Sequence, residues 1–124
     1  MRIVIAGAGE MGFHLAKLLS AEEQDINIID SDAEVLEYVS QHLDVSTIRG
    51  TSTSPRVLKE ANIAKADLLI AVTSIQEVNI TTCILGKSLG AKRTIARISN
   101  VELLHTRDTL FPYTTLFRSR KSVV

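Results

Sequence analysis

Three features of this sequence predict an α/β fold with a doubly wound parallel sheet. Apolar runs recur at intervals of roughly 20–25 residues, the length of a strand plus a crossover helix. No run has hairpin turn residues beside it, so successive strands must be parallel. A glycine-rich turn follows the first run directly and opens the first helix. With right-handed crossovers these give the strand order 3-2-1-4-5, truncated before a sixth strand.

The elements follow in order. Ile3-Val4-Ile5-Ala6 is short, β-rich and apolar, and ends at Gly7, as a buried strand does. Met11, Leu15, Leu18 and Leu19 recur at helical spacing and place helix one over Glu10 to Ser20. Ile26 to Ile29 is strand two. Ser31 with Glu34 reads as a capping box for helix two, whose inner face is Val35, Leu36 and Val39. Val45 to Ile48 is strand three. Ser54-Pro55 opens helix three, because proline lacks the N–H that the first helical position leaves unbonded. Leu68 to Val72 is strand four. Ser74 with Glu77 reads as a second capping box, starting a helix that runs to about Leu89 and stops at Gly90. Thr94 to Ile98 is strand five, and Asn100 caps a further helix beginning over Val101 to Thr106.

Composition narrows the function classes. The 124 residues suffice for one core, and 45% are hydrophobic. The net charge of zero lacks the basic excess of a nucleic-acid footprint. No apolar run approaches the roughly 20 residues that a membrane helix needs, and Arg2 to Ala6 is too short for a signal peptide. These features lead to the expectation of a soluble, cytoplasmic protein without direct membrane insertion. Cys83 is the lone cysteine and falls on an apolar helix face with Ile80 and Ile84, as a buried structural thiol does. His14, His42 and His105 have no metal-ligand spacing, so no metal is expected, and Glu60 and Asp67 read as solvated charges.

Gly7-Ala8-Gly9-Glu10-Met11-Gly12 matches G-x-G-x-x-G. The motif is weak alone and specific in this setting, after a first strand and opening a helix. Gly7 allows the tight turn, Gly9 lets a pyrophosphate approach the backbone, and Gly12 lets the helix pack closely. The free N–H groups and positive dipole end of helix one then face the phosphates. The sheet is therefore Rossmann-like. Asp30, ending strand two, is placed to accept hydrogen bonds from adenosine ribose hydroxyls and to repel a 2′-phosphate, favouring NAD over NADP. Gly50-Thr51-Ser52 should border the adenine, and Thr73 and Ser74 should lie by the second half of the ligand. Arg97, a charge inside strand five, faces either a phosphate or an acidic group of a neighbouring subunit.

Several separated motifs carry a resemblance. They are Ile5 to Gly12, Ile28-Ile29-Asp30, Arg49 to Ser52, Ser54 to Leu58, Ala66 to Thr73 and Ala96-Arg97-Ile98. Over about residues 1–108 the chain resembles the N-terminal RCK or KTN domain of the TrkA family, regulatory subunits of potassium uptake systems. The resemblance implies a cytoplasmic regulator at the inner face of the membrane. Such a domain binds NAD(H), and in some relatives ATP or ADP, and gates a membrane potassium transporter as part of a homo-oligomer. It carries nucleotide contacts to Gly7, Gly9, Gly12, Asp30, Thr51, Thr73 and Arg97, with Ala8, Glu10 and Met11 inside the glycine loop. Two positions depart from the family pattern. Thr51 stands where many members have Asp, and Glu10 stands where relatives tuned to ATP often have Arg. Glu10 would repel a γ-phosphate, which tilts the expectation toward NAD(H). The resemblance also implies a second lobe and a repeat, so the chain reads as a fragment.

Composition shifts at Thr109. The remaining residues hold Arg118, Arg120 and Lys121, no acid, and three of the five aromatics. Removing those three leaves 11 basic against 14 acidic residues, a net of −3. Thr109 to Ser119 resembles the in-frame translation of a common sequencing adapter. Residues 109–124 are therefore expected to be a non-native tail, with Leu110, Phe111, Leu116 and Phe117 lacking a matching pocket.

Two other function classes compete. An NAD-dependent dehydrogenase lacking its substrate domain would need an acid or base beside the nicotinamide, and no His, Lys or Tyr stands at the end of strand four or five. A purely structural oligomer module would bind no nucleotide. A non-enzymatic nucleotide sensor is the reading that the motifs favour.

Overall fold

Each of the five expected apolar runs becomes a strand, because a parallel strand is covered on both faces and needs apolar residues on both. The computed structural model describes residues 1–100, 102 and 113–118. Strands β1 (Arg2–Ala6), β2 (Asp25–Asp30), β3 (Ser46–Arg49), β4 (Leu68–Ala71), β5 (Arg93–Ile98) and β6 (Thr114–Arg118) form one sheet. Its order is β3-β2-β1-β4-β5-β6, with every pair parallel. Helices α1 (Glu10–Ser20), α2 (Ala33–His42), α3 (Pro55–Glu60) and α4 (Gln76–Ser88) connect the first five strands, with a 3-10 turn at Ile63–Lys65.

Alternation along each strand divides the core into two sides. Ile3, Ile5, Ile26, Ile28, Ile70 and Val72 pack with Ala16 of α1 and with Leu36 and Val39 of α2. On the opposite face Val4, Ile29 and Leu69 meet Val57 and Leu58 of α3, with Leu85 and Leu89 beside them. Cys83 of α4 completes that side with Ala6, Ala71, Ala96 and Ile98. Phe13 and Tyr38 hold α1 to α2, and His42 stacks on Tyr38 with ring centroids 4.1 Å apart.

The sixth strand corrects the expected truncation. Thr114–Arg118 extends the sheet beyond β5, with Ala96 opposite Leu116 and Ile98 opposite Arg118. The edge of β5 offers unpaired backbone groups, and the Thr-Thr-Leu-Phe run has the propensity to take them. Thr94 Oγ1 lies 2.8 Å from Thr114 Oγ1. Leu116 is buried among Cys83, Ala96 and Ile98, and Phe117 packs on the other face. Burial on this scale contributes about 1.5–3 kcal/mol for a leucine. Leu116 and Phe117 therefore do pack against the core, contrary to expectation; Leu110 and Phe111 lie outside the described residues.

Two caps also differ from the sequence reading. Helix α2 is capped by Asp32, not Ser31: Asp32 Oδ1 accepts from Glu34 N at 2.9 Å and Val35 N at 3.4 Å. Asp32 wins because its own N–H is held at 2.8 Å by Asp30 Oδ1, which fixes the chain one residue further on. Helix α4 has no Ser74–Glu77 box; its N-cap is Ile75, without a side-chain bond. The hydroxyl of Thr73 takes the Ile75 N–H instead, at 3.3 Å. Ser54 caps α3 as expected, and Gly90, at φ +119°, follows the end of α4. Asn100 Oδ1 accepts from Glu102 N at 2.9 Å, as a cap does; the rest of the expected Val101–Thr106 helix lies outside the described residues.

The two carboxylates expected to be solvated have partners. Asp67 Oδ2 accepts from Arg2 N at 2.8 Å and Oδ1 pairs with Lys92 at 3.2 Å. The backbone bond from Arg2, then the bond from Lys92, holds the Asp67 carboxyl below its ordinary range. Glu60 pairs with Arg56 at 2.9 Å on the exposed face of α3.

Candidate functional site

A cleft of about 830 Å³ opens at the carboxyl ends of β1 to β5. Open α/β sheets place ligands there, where the strand order reverses. The volume is within the usual range for small-molecule sites.

Its floor is the turn after β1. Gly7 has φ +109°, a conformation that side chains rarely adopt, and a Cβ there would press within 3.0 Å of Thr73 N. The Gly7 N–H donates to Ile29 O at 2.8 Å. Gly12, one turn into α1, lies so close to this loop that a Cβ would overlap the carbonyl oxygen of Gly7. Both glycines thus bring the N-terminus of α1 against the strand ends. Gly9, at φ −72°, is the N-cap of α1 and makes no side-chain bond. Nothing lies within 4 Å of where its Cβ would be, so its freedom serves open space above the helix.

Asp30 is fixed before any ligand arrives. Its Oδ2 accepts from Ala8 N at 2.8 Å and its Oδ1 from Asp32 N at 2.8 Å. A carboxylate has about four acceptor positions, so each oxygen keeps one for a further donor. Two neighbouring hydroxyls of a sugar have the matching chemistry.

Of the residues singled out by sequence, Gly7, Gly9, Glu10, Met11, Asp30, Thr51, Thr73 and Arg97 line this cleft. Ala8 and Gly12 do not. Ala8 is buried and contributes its N–H to Asp30, and Gly12 sits behind the loop. Ser74 lines the cleft, with Gly50 and Ser52. Thr51 Oγ1 bonds to Thr53 Oγ1 at 2.9 Å. Arg97 of β5 is half-buried and lines the cleft, so its charge is not enclosed within the sheet. His14, Ile75 and Val78 also line it, and sequence reasoning missed them. For His14 the available signal was position: it lies one helical turn past Glu10, on the same face.

Ser52 was expected at the adenine, but its buried partner Thr82 and the buried Asn79 were missed as well. Ser52 and Thr82 are both buried, with hydroxyls 2.7 Å apart, tying the loop after β3 to α4. Asn79 is fully buried and bonds the ends of β4 and β5. The signal was Gln76, Asn79 and Thr82 recurring every three residues on the inner side of α4. Cys83, next on that side, donates to Ile95 O at 3.4 Å, and burial pushes its thiol up to about 12. It is a packed thiol and not a nucleophile. Among the described residues no group of three or more His, Cys, Asp or Glu could hold a metal ion. No helix among them is long and apolar enough to cross a membrane.

A family profile for the TrkA-N domain matches residues 3–109. The chain is 40% identical over 112 residues to the Trk system potassium uptake protein TrkA of Haemophilus influenzae, covering 90% of this chain and 24% of that protein. It is 46% identical over 102 residues to a TrkA homolog of Archaeoglobus fulgidus, covering 82% of this chain and 23% of the homolog. The chain thus spans about a quarter of the length of these relatives. The fold is similar to that of a GsuK channel solved bound to NAD, with a TM-score of 0.76 and 17% identity. That likeness covers 93% of this chain and 21% of the channel chain.

Proposed function

The chain belongs to the TrkA-N domain family, and from that premise we propose that it binds NAD(H) in the cleft and regulates a membrane potassium transporter. The observation that carries this reading is the arrangement around the cleft. The N-terminus of α1, the pinned Asp30 and Arg97 line one cavity at the ends of three strands. A pyrophosphate fits the helix N-terminus, with its N–H groups and positive dipole end. Gly7, Gly9, Glu10 and Met11 form that cradle. Asp30 accepts the two adenosine ribose hydroxyls, Thr51 borders the adenine, and Thr73 and Arg97 serve the second nucleotide. ADP or ATP would use the same adenosine half, and Glu10 disfavours a γ-phosphate there.

The role proposed is regulatory and not catalytic. Thr73, Ser74 and Arg97 at the ends of β4 and β5 include no group suited to shuttle a proton beside a nicotinamide. The relatives named as potassium uptake proteins support a transporter as partner; in the proposed reading the chain acts at the cytoplasmic face of the membrane, inside a homo-oligomer. The native domain is taken as residues 1–108. The stretch from Thr109 onward is a foreign tail whose β-prone segment pairs with an edge open to any such strand. Re-reading the gene beyond codon 108 from source DNA should give a different sequence; recovery of the same codons would overturn that assignment.

Calorimetric titration tests the nucleotide reading. NADH should bind more tightly than NADPH, because the Asp30 carboxylate repels a 2′-phosphate. Asp30→Ala should weaken NADH by about 1–2 kcal/mol, the scale of charge-assisted hydrogen bonds. Equal affinities for NADH and NADPH in the unaltered chain would remove Asp30 from the ribose role.

A further inference from the structure

Asn79 is a polar side chain with no exposed surface, placed on the inner side of α4. Its Oδ1 accepts from Thr73 N at 2.9 Å and Thr73 Oγ1 at 2.7 Å. Its Nδ2 donates to Thr73 O at 3.0 Å and Arg97 O at 2.9 Å. An amide side chain has two donors and two acceptor positions, and all four are used. A leucine would bury at no polar cost, so packing alone gives no reason for asparagine here. The bonds have a common direction. The β4–β5 ladder ends at Ala71 opposite Ala96, and Thr73 lies beyond it. Asn79 therefore continues the connection between the two strands where their own backbone pairing has stopped. Both residues that it holds line the cleft.

We infer that Asn79 is a positioning residue for the distal, non-adenosine half of the bound dinucleotide, setting the spacing between Thr73 and Arg97. The inference rests on the nucleotide reading above. Asn79 does not line the cleft and acts through the two residues that do. The adenosine side is held separately, by Ser52 and Thr82 one turn further along α4. Loss of Asn79 should therefore harm one half of the site and spare the other. A residue that only held the fold together would harm both.

The test is paired calorimetry on the full chain, with NADH and with AMP, which lacks the distal half. Asn79→Ala should raise the NADH Kd about tenfold, the scale of losing one or two buried hydrogen bonds, while leaving the AMP Kd within about twofold. If that variant does not fold, Asn79→Asp keeps the acceptor for Thr73 N and Oγ1 and loses both donors, to Thr73 O and to Arg97 O. It should show the same selective loss. Parallel losses of NADH and AMP would overturn the inference, as would unchanged NADH binding in a folded variant. Absence of nucleotide binding by the unaltered chain would sink the underlying reading as well, and the first titration distinguishes that case.

Discussion

Gly12→Ala is expected to unfold the chain or to lower its melting temperature by roughly 10 °C or more, given the few degrees that each kcal/mol is worth at this size. Two effects oppose each other. Alanine in a helix interior is favoured over glycine by about 1 kcal/mol. Against that, the added Cβ would overlap the Gly7 carbonyl oxygen and sit 2.8 Å from the Gly7 carbonyl carbon. Both are backbone atoms, so no side chain can swing aside. Gly7 is itself held by its bond to Ile29 O and by its closeness to Thr73. Relief requires α1 to move off the sheet, where Ala16 and the partly buried Met11 and Leu15 pack. Overpacking costs about 1–3 kcal/mol and occasionally more, and a collision between backbone atoms falls at the upper end, a large part of a total stability of about 5–15 kcal/mol. Thermal unfolding followed by circular dichroism checks it. A melting temperature equal to that of the unaltered chain would show that α1 does not approach the loop as closely as described.

Gly9→Val should give the opposite result, with binding lost and the fold kept. Gly9 has φ −72° and ψ −161°, open to any residue, and nothing lies within 4 Å of its Cβ position. The branched side chain would occupy the space above the helix N-terminus where the proposed pyrophosphate lies. The NADH Kd should rise at least about 100-fold, or 2.7 kcal/mol. AMP should be lost too, since its phosphate uses the same cradle. Normal circular dichroism with an unchanged titration would show that the phosphates sit elsewhere. The two glycines lie three positions apart in one motif, and only their surroundings separate a structural role from a binding one.

The motif, the strands and the acid at the end of β2 were legible in the sequence because each depends on local chemistry. Four-residue apolar runs fit strands covered on both faces, Ser54-Pro55 fits a helix start, and a glycine at φ +109° leaves few alternatives to glycine. The order of the first five strands then followed from crossover handedness. Eight of the ten residues expected at the site do line one cleft, since strand ends in such a sheet converge whatever the details of their loops.

What sequence could not decide was competition between equally suitable partners. Ser31 and Asp32 are both good caps, and Asp30 settles the matter by binding the Asp32 N–H. Ser74 looked like a cap until the Thr73 hydroxyl took the Ile75 N–H. The sixth strand depended on an open edge at β5 meeting a β-prone segment, a pairing between residues 94–98 and 114–118 that no local pattern records. Asn79 and the Ser52–Thr82 pair remained hidden for the same reason. A buried polar side chain is accounted for only by the groups it meets, and those come from strands far along the chain. Sequence determined the elements and the chemistry at the strand ends; tertiary contact chose which donor meets which acceptor, because each hydrogen-bonding group has only a few places to fill.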